Sequence, residues 1–310
     1  MRITELLHPG SPAFSFEFFP PKSVKGEESL FQTISEMKAL NPAFVSVTCG
    51  AGGSEKGKTV EWAERILRDH GIEAVVHLTC LGQTTDSLEA VVDEICDKGL
   101  RNILALRGDR PKNGNFPPDI GCRYASELVS LIRDRHPEAC ILGACYPETH
   151  TESTTSQADL DHLKAKVDAG TDVLITQLFF DTEVFLRFVD SCRTAGITIP
   201  ILPGIMPVTN VDQLERFTQM CGATIPDRLL NSLDTARTDP QDVIAIGVDH
   251  AIEQCLELIE AGAPGIHFYT LNRSPAQRTR PSTVAPATTS LTRMPRPRAV
   301  SDAAKFTRPA

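Results

Sequence analysis

Glu17 is the residue whose setting most needs a chemical reason. It lies in SFEFFPPK (15–22), with Phe14, Phe16, Phe18 and Phe19 around it and Pro20 and Pro21 behind it. Proline cannot donate to a β-ladder, so a strand over 13–20 ends there. A buried carboxylate without a partner is costly. Two readings follow. Glu17 is paired with an Arg or Lys in the core, or an apolar surround raises its pKa and the retained proton is used in general acid catalysis.

Other polar residues fall at similar places, at the ends of apolar runs. Thr48 closes AFVSVTCG (43–50), and His77 lies within EAVVHLTC (73–80). Arg107, Gly108 and Asp109 close NILALRGD (102–109), and Tyr146, Glu148 and His150 belong to CYPETH (145–150). Gln177 lies in DVLITQLFF (172–180), while Tyr269 and Arg273 sit at the end of HFYTLNR (267–273). Each has a plain structural reading as well: a satisfied core histidine, an Arg–Asp turn, a glutamine bonded to its own backbone, a core tyrosine. Their convergence on one end of successive runs is what points to a site. Several chemistries are missing: no HExxH or spaced Cys/His set for zinc, no GxxxxGK[ST], no GxSxG. The glycine-rich CGAGGSEKG (49–57) reads either as a backbone cradle for phosphate or as a mobile loop.

The runs themselves predict the architecture. AFSFEFFP (13–20) and IPILPGIMP (199–207) bring the strand-like runs to eight, with CILGACYP (140–147) and GIHFYTLN (265–272) among them. They are continuously apolar rather than alternating, as strands covered on both faces are. Amphipathic runs of helical length separate them. TTDSLEAVVDEICDKG (84–99) opens on a capping Thr, and it and TVEWAERILRDHG (59–71) both end on glycine. Two helical runs, at 210–221 and 240–262, follow the seventh strand. Repeated βα units imply parallel strands. Eight of them imply an α/β fold of the (β/α)8 TIM-barrel type, with any active site at the strands' C-terminal ends. A doubly wound sheet is the competitor, but no GxGxxG follows the first strand.

The plan stops after the eighth strand. Where an eighth helix should stand, residues 274–310 carry seven Lys/Arg, one Asp and six prolines, a composition that predicts a disordered basic tail after a catalytic barrel at 1–273. The chain's net charge of -9 therefore leaves the barrel near -15. An acidic body argues against nucleic-acid binding. Nine cysteines without a CxxC pair suit a reduced, cytoplasmic protein. No run is long and apolar enough to predict a membrane span, and the N-terminus is too short and polar for a signal peptide. A barrel lacking its last helix is expected to bare apolar surface and to form a homo-oligomer.

Taken together, SFEFFPPK, FVSVTCGAGG, HLTC, NILALRGD, YPETH, ITQLFFD, PGIMP and HFYTLNR resemble the bacterial type of methylenetetrahydrofolate reductase, in the family's order, from Phe14 to Arg273. The resemblance implies a flavoprotein barrel that reduces 5,10-methylenetetrahydrofolate to 5-methyltetrahydrofolate by a ping-pong route. FAD is the implied cofactor and NADH or NADPH the electron donor. Carried over residue by residue, it implies Glu17 as the general acid and Asp109 as a carboxylate near both flavin and folate. It implies Gln177, Gln213, Phe217, Tyr269 and Arg273 at the substrate. It places Thr48, Cys49, Ala51, His77, Arg107, Gly108, Asp109, Ala125, Tyr146, His150, Ser153, Asp159, His162 and Lys166 around FAD. Two departures stand out. Cys49 replaces a common tyrosine, and His162 and Ala165 replace a commonly polar or basic pair, which would weaken the hold on the cofactor's phosphates.

Overall fold

A computed structural model describes residues 1–21, 23–48, 56–109, 121–270 and 272. Strands β1 (Ala13–Phe18), β2 (Phe44–Val47), β3 (Glu73–Thr79), β4 (Asn102–Leu106), β5 (Cys140–Cys145) and β6 (Val173–Thr176) pair in sequence order, all parallel. The seventh barrel strand is split at Pro203. Its first half, β7 (Ile201–Leu202), pairs with β6, and its second half, β8 (Gly204–Ile205), pairs with β9 (Gly265–Tyr269). β9 pairs in turn with β1, which closes the barrel, so the expected eight strands are present with the seventh serving its two neighbours in succession. The TIM-barrel reading holds.

Helices α1 (Val24–Met37), α2 (Lys56–Arg65), α3 (Thr85–Asp97), α4 (Ala125–Arg135), α5 (Ser156–Asp168) and α6 (Thr182–Thr194) fill the connections. Many begin where a short polar side chain caps them. Ser23, Thr84, Thr155, Asp181 and Asn210 each accept the backbone N–H of the second or third residue of the following helix, satisfying a donor that has no intrahelical partner. Helix α2 relaxes into a π turn at Ile66–His70 before Gly71. After β8 come α7 (Val211–Cys221), α8 (Asp227–Thr235) and α9 (Pro240–Glu260). Sequence reading expects two helices there and misses α8. It is nine residues long and starts on Pro226 without a side-chain cap, so its start is not conspicuous and its apolar stripe, Leu229 and Leu233, spans little more than two turns.

Strand alternation divides the apolar residues into two cores. Phe16, Phe18, Val45, Val76, Ile103 and Ile141 point outward under the helices. Phe44, Val75, Leu104, Leu142, Val173 and Leu202 point inward and fill the lower barrel. Ile3 joins the inner group from below. It is completely buried, and its N–H donates to Asn102 Oδ1 at 2.9 Å, so the N-terminal segment plugs the mouth opposite the strands' C-terminal ends. Outward-facing Phe16, Ile266 and Phe268 are buried, while Leu256 on α9 stands exposed. The tail expected at 274–310 lies outside the described residues. Among the described residues no helix is long and apolar enough to cross a membrane.

Candidate active site

Above the apolar layers the barrel interior turns polar. On β1, Ser15 and Glu17 share the inward face, and β2 and β9 set Ser46 and Tyr269 beside Glu17 in register. His77 from β3 and His267 from β9 complete the layer. Glu17 is 7% exposed, His77 6% and His267 0%. His77 Nε2 lies 3.5 Å and His267 Nε2 3.6 Å from Glu17 Oε2. Those distances exceed an ordinary hydrogen bond, so the three groups are near neighbours with their contacts not yet tightened. Ser15 Oγ and His267 Nδ1 are 2.8 Å apart, which places a hydroxyl behind the second imidazole.

The surroundings of Glu17 correct the sequence reading. The phenylalanines beside it in sequence do not surround it. Phe16 and Phe18 belong to the outer core, because a strand sends neighbouring side chains to opposite faces. Burial pushes the Glu17 pKa up, but the nearness of His267, His77 and Ser46 outweighs it and holds the carboxyl below its ordinary value. Burial pushes His77 down to about 4, so it is neutral at pH 7. Among the described residues no Arg or Lys pairs with Glu17, and its near neighbours are imidazoles.

Four buried polar atoms in this region, Ser46 Oγ, Thr48 Oγ1, His77 Nε2 and His267 Nε2, make no hydrogen bond among the described residues. Buried polar atoms are nearly always bonded, and exceptions mark places where something else binds. They ring Glu17 and the end of β2, where a polar ligand lying over the strand ends would meet them.

A second group of expected residues gathers where β4 and β5 end. Arg107 reaches Glu152 through both Nη1 (2.6 Å) and Nη2 (3.0 Å). Gly108 takes φ +86°, a conformation open to glycine, and a side chain there would press on Thr79. Asp109 is exposed, and its charge is felt by Arg107 and Tyr146. Tyr146 packs edge-on against His150, with ring centroids 4.5 Å apart. The His150 N–H donates to Asp159 Oδ2 at 3.0 Å, and the Glu152 N–H donates to His150 Nδ1 at 3.0 Å. Ser153 bonds the Thr155 carbonyl just ahead of α5. Lys166 donates to the Ala144 carbonyl, and burial lowers its pKa. A cleft of about 410 Å³ runs from Tyr146 and Thr149 along Asp159 to Arg187.

The remaining expected residues are spread around the rim. Ala125 opens α4, and His162 is exposed on α5. Gln177 follows β6 and accepts the Leu178 N–H through its own side chain, the local bonding that sequence reading allowed. Gln213 and Phe217 lie one turn apart on α7. The Tyr269 hydroxyl donates to the Thr176 carbonyl at 2.6 Å, and burial pushes its pKa well up, so this side chain ties β9 to β6 across the short seventh strand. Cys49, Ala51 and Arg273 lie outside the described residues. Sequence reading misses Ser15, Ser46 and His267. The signal for them was present, since each lies two residues from a polar position already singled out and period two puts both on one face.

The family model for methylenetetrahydrofolate reductase matches residues 2–279. The 5,10-methylenetetrahydrofolate reductases of Pectobacterium carotovorum and Escherichia coli K12 are each 41% identical over 260 residues, covering 84% of this chain and 86% of theirs. A Zea mays protein, methylenetetrahydrofolate reductase (NADH) 1, is 38% identical over 283 residues, and the chain spans about half of its length, 48%. Among solved structures, a Clostridium thermocellum protein described as binding two copies of 5-methyl-5,6,7,8-tetrahydrofolic acid superposes with a TM-score of 0.65, over 93% of this chain and 96% of its own. At 17% identity that likeness speaks for the fold alone.

Proposed function

The chain belongs to the methylenetetrahydrofolate reductase family of oxidoreductases, and from that membership we propose that it reduces 5,10-methylenetetrahydrofolate to 5-methyltetrahydrofolate with FAD and NADH or NADPH, Glu17 acting as the general acid. The observation that carries this reading is the sealed polar layer at the strands' C-terminal ends, where Glu17, His77 and His267 meet beside buried polar atoms without partners. Such a placement suits chemistry at the open end of a barrel.

The residues present fit a flavin. Thr48 offers an unbonded buried hydroxyl, and Arg107, Tyr146, His150, Asp159 and Lys166 make a polar shelf beside it. When bound, FAD supplies the hydride that the methylene carbon receives. The protein does the rest. Asp109, exposed at the rim, sets negative charge beside the reacting groups. Gln177, Gln213, Phe217 and Tyr269 border the place for the pterin. Glu17 protonates the bridging nitrogen so that the five-membered ring opens to an iminium. The proton goes from Glu17 to nitrogen, and the carboxylate takes another from solvent before the next turnover. Nicotinamide and folate use the same face in turn, which is a ping-pong order. The same reading expects a cytoplasmic protein and a homo-oligomer, the latter open to light scattering.

The test separates the two halves of the reaction. Without air, NADH should bleach the flavin absorbance of the purified protein, and methylenetetrahydrofolate should restore it. Glu17→Gln should bleach normally and fail to recover. Full recovery in that variant would remove Glu17 from the acid's role, and an absence of flavin absorbance after added FAD would sink the flavoprotein reading.

A further inference from the structure

The loop that leaves β5 is held from two sides. On the side of the flavin shelf, the Tyr146 ring meets His150 edge-on, the His150 N–H donates to Asp159 Oδ2, and Glu152 pairs with Arg107. On the side of α7, the Thr224 N–H donates to both carboxylate oxygens of Glu148, each at 2.9 Å. Burial pushes the Cys221 thiol at the end of α7 up, and the Glu148 charge adds to it. Gly222, next in the chain, turns left-handed at φ +78°, and a Cβ there would stand 3.1 Å from Thr151 Cγ2, so the two loops touch. Between these holds Thr149 takes φ +73°, a left-handed conformation that a β-branched residue seldom adopts. Strain of this kind persists only where the surroundings impose it, and it gathers at functional sites. Here the contacts of its two neighbours, Glu148 and His150, impose it.

We propose that Glu148 is a positioning residue for the substrate: it fixes the end of α7 and so sets where Gln213 and Phe217 stand relative to the flavin shelf. This rests on the reading of those two side chains as substrate contacts. Val211 and Leu214 of α7 pack with Phe180, Met206, Val208 and Leu229 in a small core of their own, and Phe217 lies half-buried against it. Apolar burial holds the helix down but gives it no direction. Direction comes from polar contacts at its two ends. Near the start, Asp212 and Glu215 pair with Arg237, which follows α8, so that tie stays within the pair of helices. Just past the other end, Glu148 ties the same pair to the end of β5. A carboxylate suits the task, because it only accepts and a charged acceptor makes a stronger bond than a neutral one. Thr224 is exposed, so water takes over its N–H when the carboxylate is removed. The helix end is then displaced while the fold survives. One loop thereby serves cofactor and substrate together: His150 and Glu152 face the flavin side, and Glu148 decides where α7 meets the pterin.

The experiment follows both half-reactions of the flavin-loaded enzyme, at saturating FAD, in Glu148→Ala, Glu148→Gln, Phe217→Ala and the double variant Glu148→Ala/Phe217→Ala. Glu148→Ala should raise KM for 5,10-methylenetetrahydrofolate about tenfold, which is what one hydrogen bond to a charged group amounts to, and leave kcat near that of the parent. Flavin reduction at saturating NADH should keep its rate. Glu148→Gln, which retains an acceptor oxygen, should recover most of the affinity. Because Glu148 acts through α7, its removal should add little once Phe217 is gone, and the double variant should resemble Phe217→Ala. A parental KM in Glu148→Ala overturns the proposal. So does a common fall in kcat and in flavin reduction, the mark of a general loosening, and so does full additivity in the double variant. In the unaltered enzyme, 5-methyltetrahydrofolate should slow hydrogen exchange at the Thr224 N–H together with the amides of α7. Exchange at Thr224 that ignores the ligand overturns the proposal whether or not any variant folds. A parental KM in Phe217→Ala instead strikes the reading of α7 as a substrate helix, and the proposal with it.

Discussion

Acidification offers a direct reading of the buried polar layer. In the unfolded chain His77 titrates near 6.5, whereas burial in the barrel pushes it down to about 4. Between those values the unfolded chain binds a proton that the folded chain refuses. Stability from this group is therefore whole above pH 6.5 and drains away as pH falls toward 4. At about 1.36 kcal/mol for each pKa unit, the loss is about 3 kcal/mol. Glu17 works in the same direction lower down, because its folded pKa is also depressed and its stabilisation disappears as pH falls through that value. The assay is urea unfolding of the flavin-free protein at a series of pH values from 7 to 4, compared with His77→Gln. Glutamine keeps a polar group of similar size but cannot titrate. The variant should lose about 3 kcal/mol less than the parent across this window. Parallel curves for the two proteins would refute the reasoning, since they would place the acid sensitivity elsewhere, for instance in the surface carboxylate pairs such as Asp93 with Arg135.

Three further outcomes follow from other parts of the barrel. Gly247 on α9 lies so close to the chain after β8 that a Cβ would stand 2.0 Å from the Val208 carbonyl oxygen, and Gly247→Ala should cost about 3 kcal/mol in thermal or urea unfolding, because backbone cannot step aside as a side chain would. Tyr269→Phe removes the donor to the Thr176 carbonyl, leaves that oxygen buried without it, and should lower stability by about 1–3 kcal/mol in the same assays. Lys166→Met should leave the melting temperature of the flavin-free chain unchanged or raised, since a buried ammonium held by a carbonyl is replaced by an apolar chain, while flavin titration shows weaker binding.

How much of this was legible in the chain depends on the range of the interactions concerned. Helix starts at Thr84 and stops at Gly71 and Gly99 could be read because a cap and the turn it closes lie within four residues of each other. The eight strands could be read because strands covered on both faces are apolar throughout. The same continuity hid which side chains look inward. Phe16, Glu17 and Phe18 form one apolar-looking run, yet period two sends Glu17 to the interior and the rings to the helices. Helix α8 escaped because its start carries no side-chain cap and its nine residues are a short run, although Leu229 and Leu233 do share its buried face.

By itself, the order of residues determined the βα repeat, the caps, the acidic body and the polar residues at the strand ends. All of these rest on contacts between near neighbours or on composition. Tertiary structure alone decided how the barrel closes and what Glu17 meets. Pro203 divides the seventh strand, so β6 and β9 are joined through its two halves. That closure sets β9 against β1 and delivers His267 to Ser15 across 252 positions of chain. No local pattern records such a meeting. A ring of parallel strands has one register that buries both of its cores at once, and that register set two imidazoles beside a carboxylate for which the sequence had left open an Arg or Lys partner or an apolar surround.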